Sequence, residues 1–319
     1  PPTDRRASKA GNAAMLLLAL SGPLRPLDWL VLAAYAALIV AAGFIAQRRA
    51  KAASAHDYFL AGGAMPVWAV IVSTLATAQS AATFVGVPQD AYDGNLTYLS
   101  ANIGGVLAAL ILAAWFIPAY YRLGVATPYE LLERRFGPGA KLASSCAYML
   151  GRVFASGARI YVGAIPITIA FFGERSTASL AVVIAIVMVF AILFTLRGGL
   201  ESVIWTDVVQ VGVYVGAALV TLVLLFRAIP APLSDILAAL QSGGPNHASK
   251  LTVIKSGLDT TKPLGFDPAA PFTLLTACTG WLLLNLAAFG TDQDLVQRLL
   301  SCKSARQGAR SVMGSMLAG

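Results

Sequence analysis

Met65-Pro66-Val67-Trp68-Ala69-Val70-Ile71-Val72-Ser73-Thr74-Leu75-Ala76-Thr77-Ala78-Gln79-Ser80-Ala81-Ala82-Thr83-Phe84-Val85-Gly86 lies in a stretch, Tyr58 to Gln89, that carries no charge. It is long enough to cross a hydrocarbon core of ~30 Å. Ser73, Thr77, Ser80 and Thr83 nevertheless recur at steps of four, three and three, which puts hydroxyls on one helix face with Gln79 beside them. In lipid such groups are satisfied internally or face a wet cavity. One reading has the hydroxyls bonding their own i−4 carbonyls, or small residues packing helices closely. The other has a local break whose freed carbonyls coordinate a cation at mid-membrane depth.

The rest of the chain has the same character. Of 319 residues, 57% are hydrophobic and 12% charged, about half the charge fraction of a soluble domain. Seven segments are candidate spans: Asp28–Gln47, Pro66–Val87, Tyr98–Tyr121, Lys141–Phe172, Thr177–Leu196, Glu201–Ala228 and Phe272–Gly290, with an eighth starting near Arg310. The expected fold is therefore an all-α integral membrane protein. A cytosolic enzyme, a disulfide scaffold and a disordered tail are excluded, and so is a β-barrel, whose strands alternate by residue over about ten residues. Residues 1–27, with a basic tail and a short apolar run from Ala13 to Leu20, are expected to be unstructured. The start at Pro1-Pro2 and the end at Gly319 inside an apolar stretch are read as those of an N-terminal fragment.

The net charge of +8 sits mostly in short loops, where it speaks of membrane orientation rather than nucleic acid. Arg48, Arg49 and Lys51 follow the first span, and Arg122, Arg134, Arg135 and Lys141 the third. Arg197 follows the fifth, and Arg298, Lys303, Arg306 and Arg310 the seventh. That side is assigned to the cytoplasm, so the amino end of the first span faces outward in a plasma (inner) membrane. The 229–271 loop then falls outside, as does the basic tail, which goes against the rule. Two loop segments are expected to form surface helices, one opened by Thr127-Pro128-Tyr129-Glu130 and one running from Asp292 to Leu300.

No catalytic set is present in the sequence. His56 and His247 fall on opposite sides of the membrane, there is no phosphate-binding loop or HExxH, and Cys146, Cys278 and Cys302 have no metal-ligand spacing. Polar groups at depth are the remaining candidates. Arg152, Ser156 and Arg159 share one face of the fourth span; Arg159 either holds a substrate carboxylate in its fork or pairs with a neighbouring acid. Asp207 lies nearly two turns inside the sixth span, where it neutralises an arginine, attracts a cation or proton, or packs at the interface. Asn285 is a lone amide in the seventh, a helix glue or a ligand contact.

Five signatures stand in register: Asp57-Tyr58-Phe59-Leu60-Ala61-Gly62-Gly63 with Phe84-Val85-Gly86; Thr127-Pro128-Tyr129-Glu130 with Arg135-Phe136-Gly137; Gly198-Gly199; Trp205-Thr206-Asp207; and Thr291-Asp292-Gln293 followed by Gln297-Arg298. Together they resemble the sodium:solute symporter family. The resemblance implies a leucine-transporter-like fold of two inverted five-helix repeats. Residues 28–47 would be the extra leading helix, 48–228 the first repeat, 229–271 an extracytoplasmic loop, and 272–319 the truncated start of the second repeat.

The resemblance further implies sodium bound by the backbone carbonyls of Ala76 and Gln79, with serine partners beyond Gly319. It places substrate against Ala78, Ser80 and Thr83, with Arg159 and Asn285 as further contacts, and gives Asp207 a role in ion coupling. Ala78 and Ala288 depart from the residues that sugar carriers place there, and Ala78 also from some amino-acid carriers, which argues against a sugar and against proline. Members that carry sialic acid resemble the chain better. The implied activity is sodium-coupled import of a small organic solute, with a carboxylate-bearing one favoured. The implied partners are that solute, sodium and the bilayer, with no nucleic acid and no obligate protein partner. The alternative is the membrane input module of a sensor kinase built on the same fold.

Overall fold

The computed structural model describes residues 24–49, 55–195, 199–243, 249–267 and 270–319. Most of the expected tail, together with Lys51, Arg197, Gly198 and His247, lies outside them. Among the described residues the fold is all helix apart from two isolated bridges, Met65 with Cys302 and Leu258 with Phe266. In chain order the helices are α1 (Pro26–Arg49), α2 (Ala55–Leu60), α3 (Val67–Ala78), α4 (Ala81–Asp93), α5 (Ala101–Ile111) and α6 (Ile117–Leu123). They continue as α7 (Pro128–Phe136), α8 (Pro138–Phe172), α9 (Thr177–Thr195), α10 (Gly199–Ala228) and α11 (Leu233–Ser242). The last are α12 (Leu274–Thr276), α13 (Leu282–Thr291), α14 (Gln293–Leu300) and α15 (Ala305–Ala318).

Among the described residues, five stretches are long and apolar enough to cross a membrane: Pro26–Ile45, Leu96–Leu123, Pro138–Phe172, Gly199–Ala228 and Leu274–Thr291. A sixth is made if α3 and α4, bent by 68° at their junction, count as one. The segment expected as the fifth span, Thr177–Leu196, contains a shorter apolar helix, Thr177–Ile192. Two of these spans contain a wide turn. Pro118 has no N–H to give to the preceding turn, and a wide turn at Leu112–Phe116 absorbs the mismatch between α5 and α6. A second wide turn, Ala277–Trp281, joins α12 to α13.

The buried core lies where α3, α5, α10, α13, α14 and α15 converge, around Ala69, Val70, Leu112, Ile117, Ile204, Leu299 and Val312. The outer helices α1, α8 and α9 and the second half of α10 present Leu, Val, Ile and Phe outward, the surface expected against lipid. Tyr120 and Tyr121 tie α6 to the later helices by donating to the carbonyls of Gly290 (2.6 Å), and of Leu299 (3.1 Å) and Cys302 (2.9 Å), respectively.

The expected helix at Thr127 is present: Thr127 accepts from the Glu130 N–H (3.2 Å), and Glu130 returns a bond to the N–H of Ala126 (2.9 Å). The segment from Asp292 departs from expectation. It is no surface helix, because Leu295, Val296, Arg298, Leu299 and Leu300 are all buried against α3, α6 and α15. Two expected starts also shift. The last helix begins at Ala305, capped by Ser304, rather than near Arg310, and α1 begins at Pro26, within the expected tail.

Gly104 sets the crossing of α5 with the α12–α13 segment. A Cβ there would stand 2.3 Å from the carbonyl oxygen of Ala277 and 2.9 Å from the backbone nitrogen of Leu282, so the backbones themselves would have to part. Helix propensity alone favours Ala over Gly by about 1 kcal/mol. Gly104→Ala should therefore reverse the usual sign and destabilise by about 1–3 kcal/mol. Gly151→Ala on α8, where a Cβ meets nothing within 4 Å, should leave stability unchanged or raised. Apparent melting temperatures of the two variants in detergent check the contrast.

Candidate functional site

Helix α3 stops because two residues leave helical geometry. Gln79 (φ −76°, ψ 149°) and Ser80 (φ −142°, ψ 166°) are extended. The Gln79 N–H still donates to the Leu75 carbonyl (3.0 Å). Beyond it the chain turns away, so the carbonyls of Ala76, Thr77, Ala78 and Gln79 have no successive helical N–H to accept. Ser80 starts α4 as its N-cap: its Oγ accepts the Thr83 N–H (3.3 Å), its carbonyl accepts the Phe84 N–H (3.0 Å), and its hydroxyl lies 3.2 Å from that of Thr83. The back-bonding and the break are both present, at different residues. Thr77 donates back to the Ser73 carbonyl (2.8 Å), while the backbone breaks two residues later.

A cavity of about 910 Å³ opens beside the break. Ala78, Gln79, Thr83, Arg159 and Asn285 all line it, as does Ala288. Ala76 and Ser80 flank the break without lining the cavity, and Asp207 lies apart from it. The buried Gln79 Oε1 has no hydrogen-bond partner among the described residues. Asn285 Nδ2 donates to the Trp281 carbonyl (2.7 Å), a bond within its own helix.

The two arginines of α8 have different surroundings. Arg152 faces acids: it pairs with Asp292 (3.3 Å) and with Asp294, and Tyr148 donates to Asp292 Oδ1 (3.1 Å). Nearby, burial and then the Asp292 and Asp294 carboxylates push the Tyr129 phenol up to about 12, so it stays neutral. Arg159 reaches the cavity with no ion pair among the described residues.

Asp207 meets an arginine, one of the options its sequence context left open. Its Oδ2 accepts from Ser73 Oγ (2.5 Å) and from Arg298 Nη2 (3.3 Å). Arg298 Nε donates to Ser73 Oγ (2.9 Å), and Nη1 donates to the Asp294 carbonyl (2.6 Å). Ser73 is fully buried, and Asp207 and Arg298 are nearly so. Sequence reasoning placed Arg298 in a basic loop and missed this contact. The signal was the spacing Leu295, Arg298, Leu299, Cys302, which sets the arginine on the apolar face of its helix.

The comparisons agree with this architecture. The sodium:solute symporter family model matches residues 58–318. The chain is 30% identical over 282 residues to the sodium/sialic acid symporter NanT of Aliivibrio fischeri, covering 86% of this chain and 50% of that protein. It is 29% identical to the sodium/sialic acid symporter SiaT of Proteus mirabilis (90% and 54% covered) and 29% identical to the human sodium/iodide cotransporter (82% and 38%). A solved structure of a substrate-bound, outward-open sodium-coupled sialic acid symporter superposes with a TM-score of 0.72 at 26% identity, covering 91% of this chain and 57% of the other. The chain thus spans about half the length of the curated relatives it matches. With the fold, the register of its signatures and the family match in agreement, the chain belongs to the sodium:solute symporter family.

Proposed function

We propose that the protein is a sodium-coupled secondary active symporter that imports a small organic solute bearing a carboxylate, by alternating access across the plasma (inner) membrane. The observation that carries this reading is the extended break at Gln79–Ser80 opening beside a cavity that is also lined by Arg159, which has no ion pair among the described residues. The released carbonyls of Ala76 and Gln79 present partial negative charge suited to a sodium ion. Ala78, Ser80 and Thr83 place small and hydroxyl-bearing groups beside it. Arg159 supplies a planar fork of donors matched to a carboxylate. Asn285, which lines the cavity, has an amide oxygen to offer for an orienting contact.

In this reading the chain provides the leading helix and the first five-helix repeat, followed by the opening helices of the second, for seven complete spans in all. The basic loops place the α3–α10–α14 end at the cytoplasm and the amino end of α1 outside. Coupling arises because sodium at the break favours the arrangement that binds solute, and by linkage solute then favours sodium. The reading comprises no catalytic step and no obligate protein partner.

Uptake by the full-length protein in proteoliposomes, with an imposed sodium gradient and a panel of labelled carboxylates, sugars and amino acids, tests the proposal. Accumulation of a carboxylate that collapses with the gradient is expected; accumulation indifferent to sodium overturns it. Loss of a charge-assisted bond is worth about 1.5–3 kcal/mol. Arg159→Ala should therefore raise KM for that carboxylate by roughly 10- to 100-fold, with Arg159→Lys recovering part of the loss.

The hydroxyl pair gives a further check. Thr83→Ala should weaken uptake affinity while leaving the cap of α4 in place. Ser80→Ala should weaken uptake and also remove about 1 kcal/mol of helix capping, read as a lower melting temperature. Unchanged affinity and sodium dependence in both variants would remove these residues from the site.

A further inference from the structure

Arg152 and Arg159 share one face of α8, and both line the cavity. Seven residues separate them, roughly 10 Å along the axis at 1.5 Å per residue. By the orientation proposed above, α8 enters from the cytoplasm, so Arg152 lies on the inner side of Arg159. A solute anchored by its carboxylate at Arg159 therefore meets a second guanidinium on its way in.

That guanidinium is already answered by carboxylates. Nη1 of Arg152 donates to Asp292 Oδ2 (3.3 Å), and Nη2 donates to Asp294 Oδ2. Neither acid depends on the arginine alone. Asp292 caps α14: its Oδ1 accepts the Asp294 N–H (2.9 Å) and the Tyr148 hydroxyl (3.1 Å). Asp294 lies in the first turn of α14, where the helix dipole favours negative charge. Tyr129 packs on Tyr148 with 5.6 Å between ring centroids, and its buried hydroxyl has no hydrogen-bond partner among the described residues. The acids thus keep support if Arg152 lets go, unlike a buried pair in which losing one partner strands the other.

The cluster is also open to exchange. The side chains of Arg152, Asp292 and Asp294 are 28%, 24% and 39% exposed, and ion pairs open to solvent hold weakly. Arg152 and Asp292 line the cavity, whereas Asp294 does not. A carboxylate in the cavity therefore approaches the fork from the Asp292 side, where the 3.3 Å bond is longer than the usual charge-assisted contact of about 2.7–2.9 Å. One arginine against two acids leaves the cluster net negative, so an added carboxylate is gripped and repelled at once.

We infer that Arg152 is a second, inner station for the carboxylate of the solute, with Asp292 and Asp294 as built-in competitors that keep its hold brief. The carboxylate of the solute exchanges with that of Asp292 on the guanidinium, and the acids reclaim the arginine as the solute leaves. The inference rests on the proposed import of a carboxylate, and it gives the second arginine of α8 a part in release.

Full-length protein and the labelled carboxylate accumulated in the uptake panel supply two readouts: binding stoichiometry and affinity in detergent, and kcat in proteoliposomes. Asp294→Asn removes one competitor, so it should bind a second equivalent of the carboxylate where wild type binds one, and kcat should fall because the station now holds on. Arg152→Gln should bind one equivalent with unchanged affinity, set at Arg159, while kcat falls by about 10-fold or more, the size of one charge-assisted bond. The neutral pair Arg152→Gln/Asp294→Asn has the net charge of wild type without its cation, and it should be as slow as Arg152→Gln.

A neutral pair restored to wild-type kcat marks the bridge as structural and overturns the inference, as does a single equivalent bound by Asp294→Asn. If Arg152→Gln does not fold, the neutral pair carries the kcat test in its place. Wild-type protein that accumulates no carboxylate brings down the proposed solute class and the station together. Accumulation of a carboxylate with all three variants behaving as wild type brings down the station alone.

Discussion

Backbone carbonyls released inside an apolar bundle are the constraint from which the rest of the molecule follows. Bilayer interiors offer no water to such groups, so a helix normally satisfies all of its own. Here Gln79 and Ser80 are extended, and four successive carbonyls lose their helical partners. The cost is contained on one side by the Ser80 cap on α4. It is contained on the other by anchoring each half-helix to the same neighbour: Trp68 of α3 packs on Trp205, and Phe84 of α4 packs on Tyr214, both on α10. One long helix thus splints a broken one, while the opening between the halves gives onto the cavity.

That splint requires close helix approach elsewhere. At Gly104 the backbone of α5 meets the α12–α13 segment at distances that exclude a Cβ, and the wide turn at Ala277–Trp281 lies at the same crossing. A glycine in the middle of a helix weakens it by propensity. In return it lets two spans touch where hydrophobic driving force between them is small and packing must supply the attraction.

Much of this was legible in the sequence, because it depends on short-range pattern. The hydroxyls at Ser73, Thr77, Ser80 and Thr83 marked the deviant span, and Thr127-Pro128-Tyr129-Glu130 marked a helix start that the structure contains. What pattern could not give was pairing across the chain. Arg152 and Arg159 share a face and both line the cavity, yet one is paired with Asp292 and Asp294 some 140 residues away while the other has no ion pair among the described residues. Ser80 read as a solute contact and serves in the fold as a helix cap, a role that depends on the chain being extended there. Arg298 read as a topological marker because loop arginines usually are. Only the apolar spacing around it hinted at burial.

The break and the buried ion pair are not independent features, because α3 carries both. Ser73 precedes Gln79 by less than two turns, a distance of roughly 9 Å at 1.5 Å per residue. Between them the Thr77 hydroxyl back-bonds to the Ser73 carbonyl (2.8 Å), so its polar group is satisfied within the helix. A short, intact helix moves as a rod, so a displacement at Ser73 is delivered to the carbonyls of Ala76 and Gln79 rather than dissipated in bending. Gln79 still bonds back to Leu75 and Ser80 forward to Phe84, but among the described residues no helical bond crosses the break to resist it. A charge change at Asp207 can therefore alter geometry at the break without any contact between the two sites. The requirement is only that α3 be rigid and its far end free, and both conditions are met by where the helix stops.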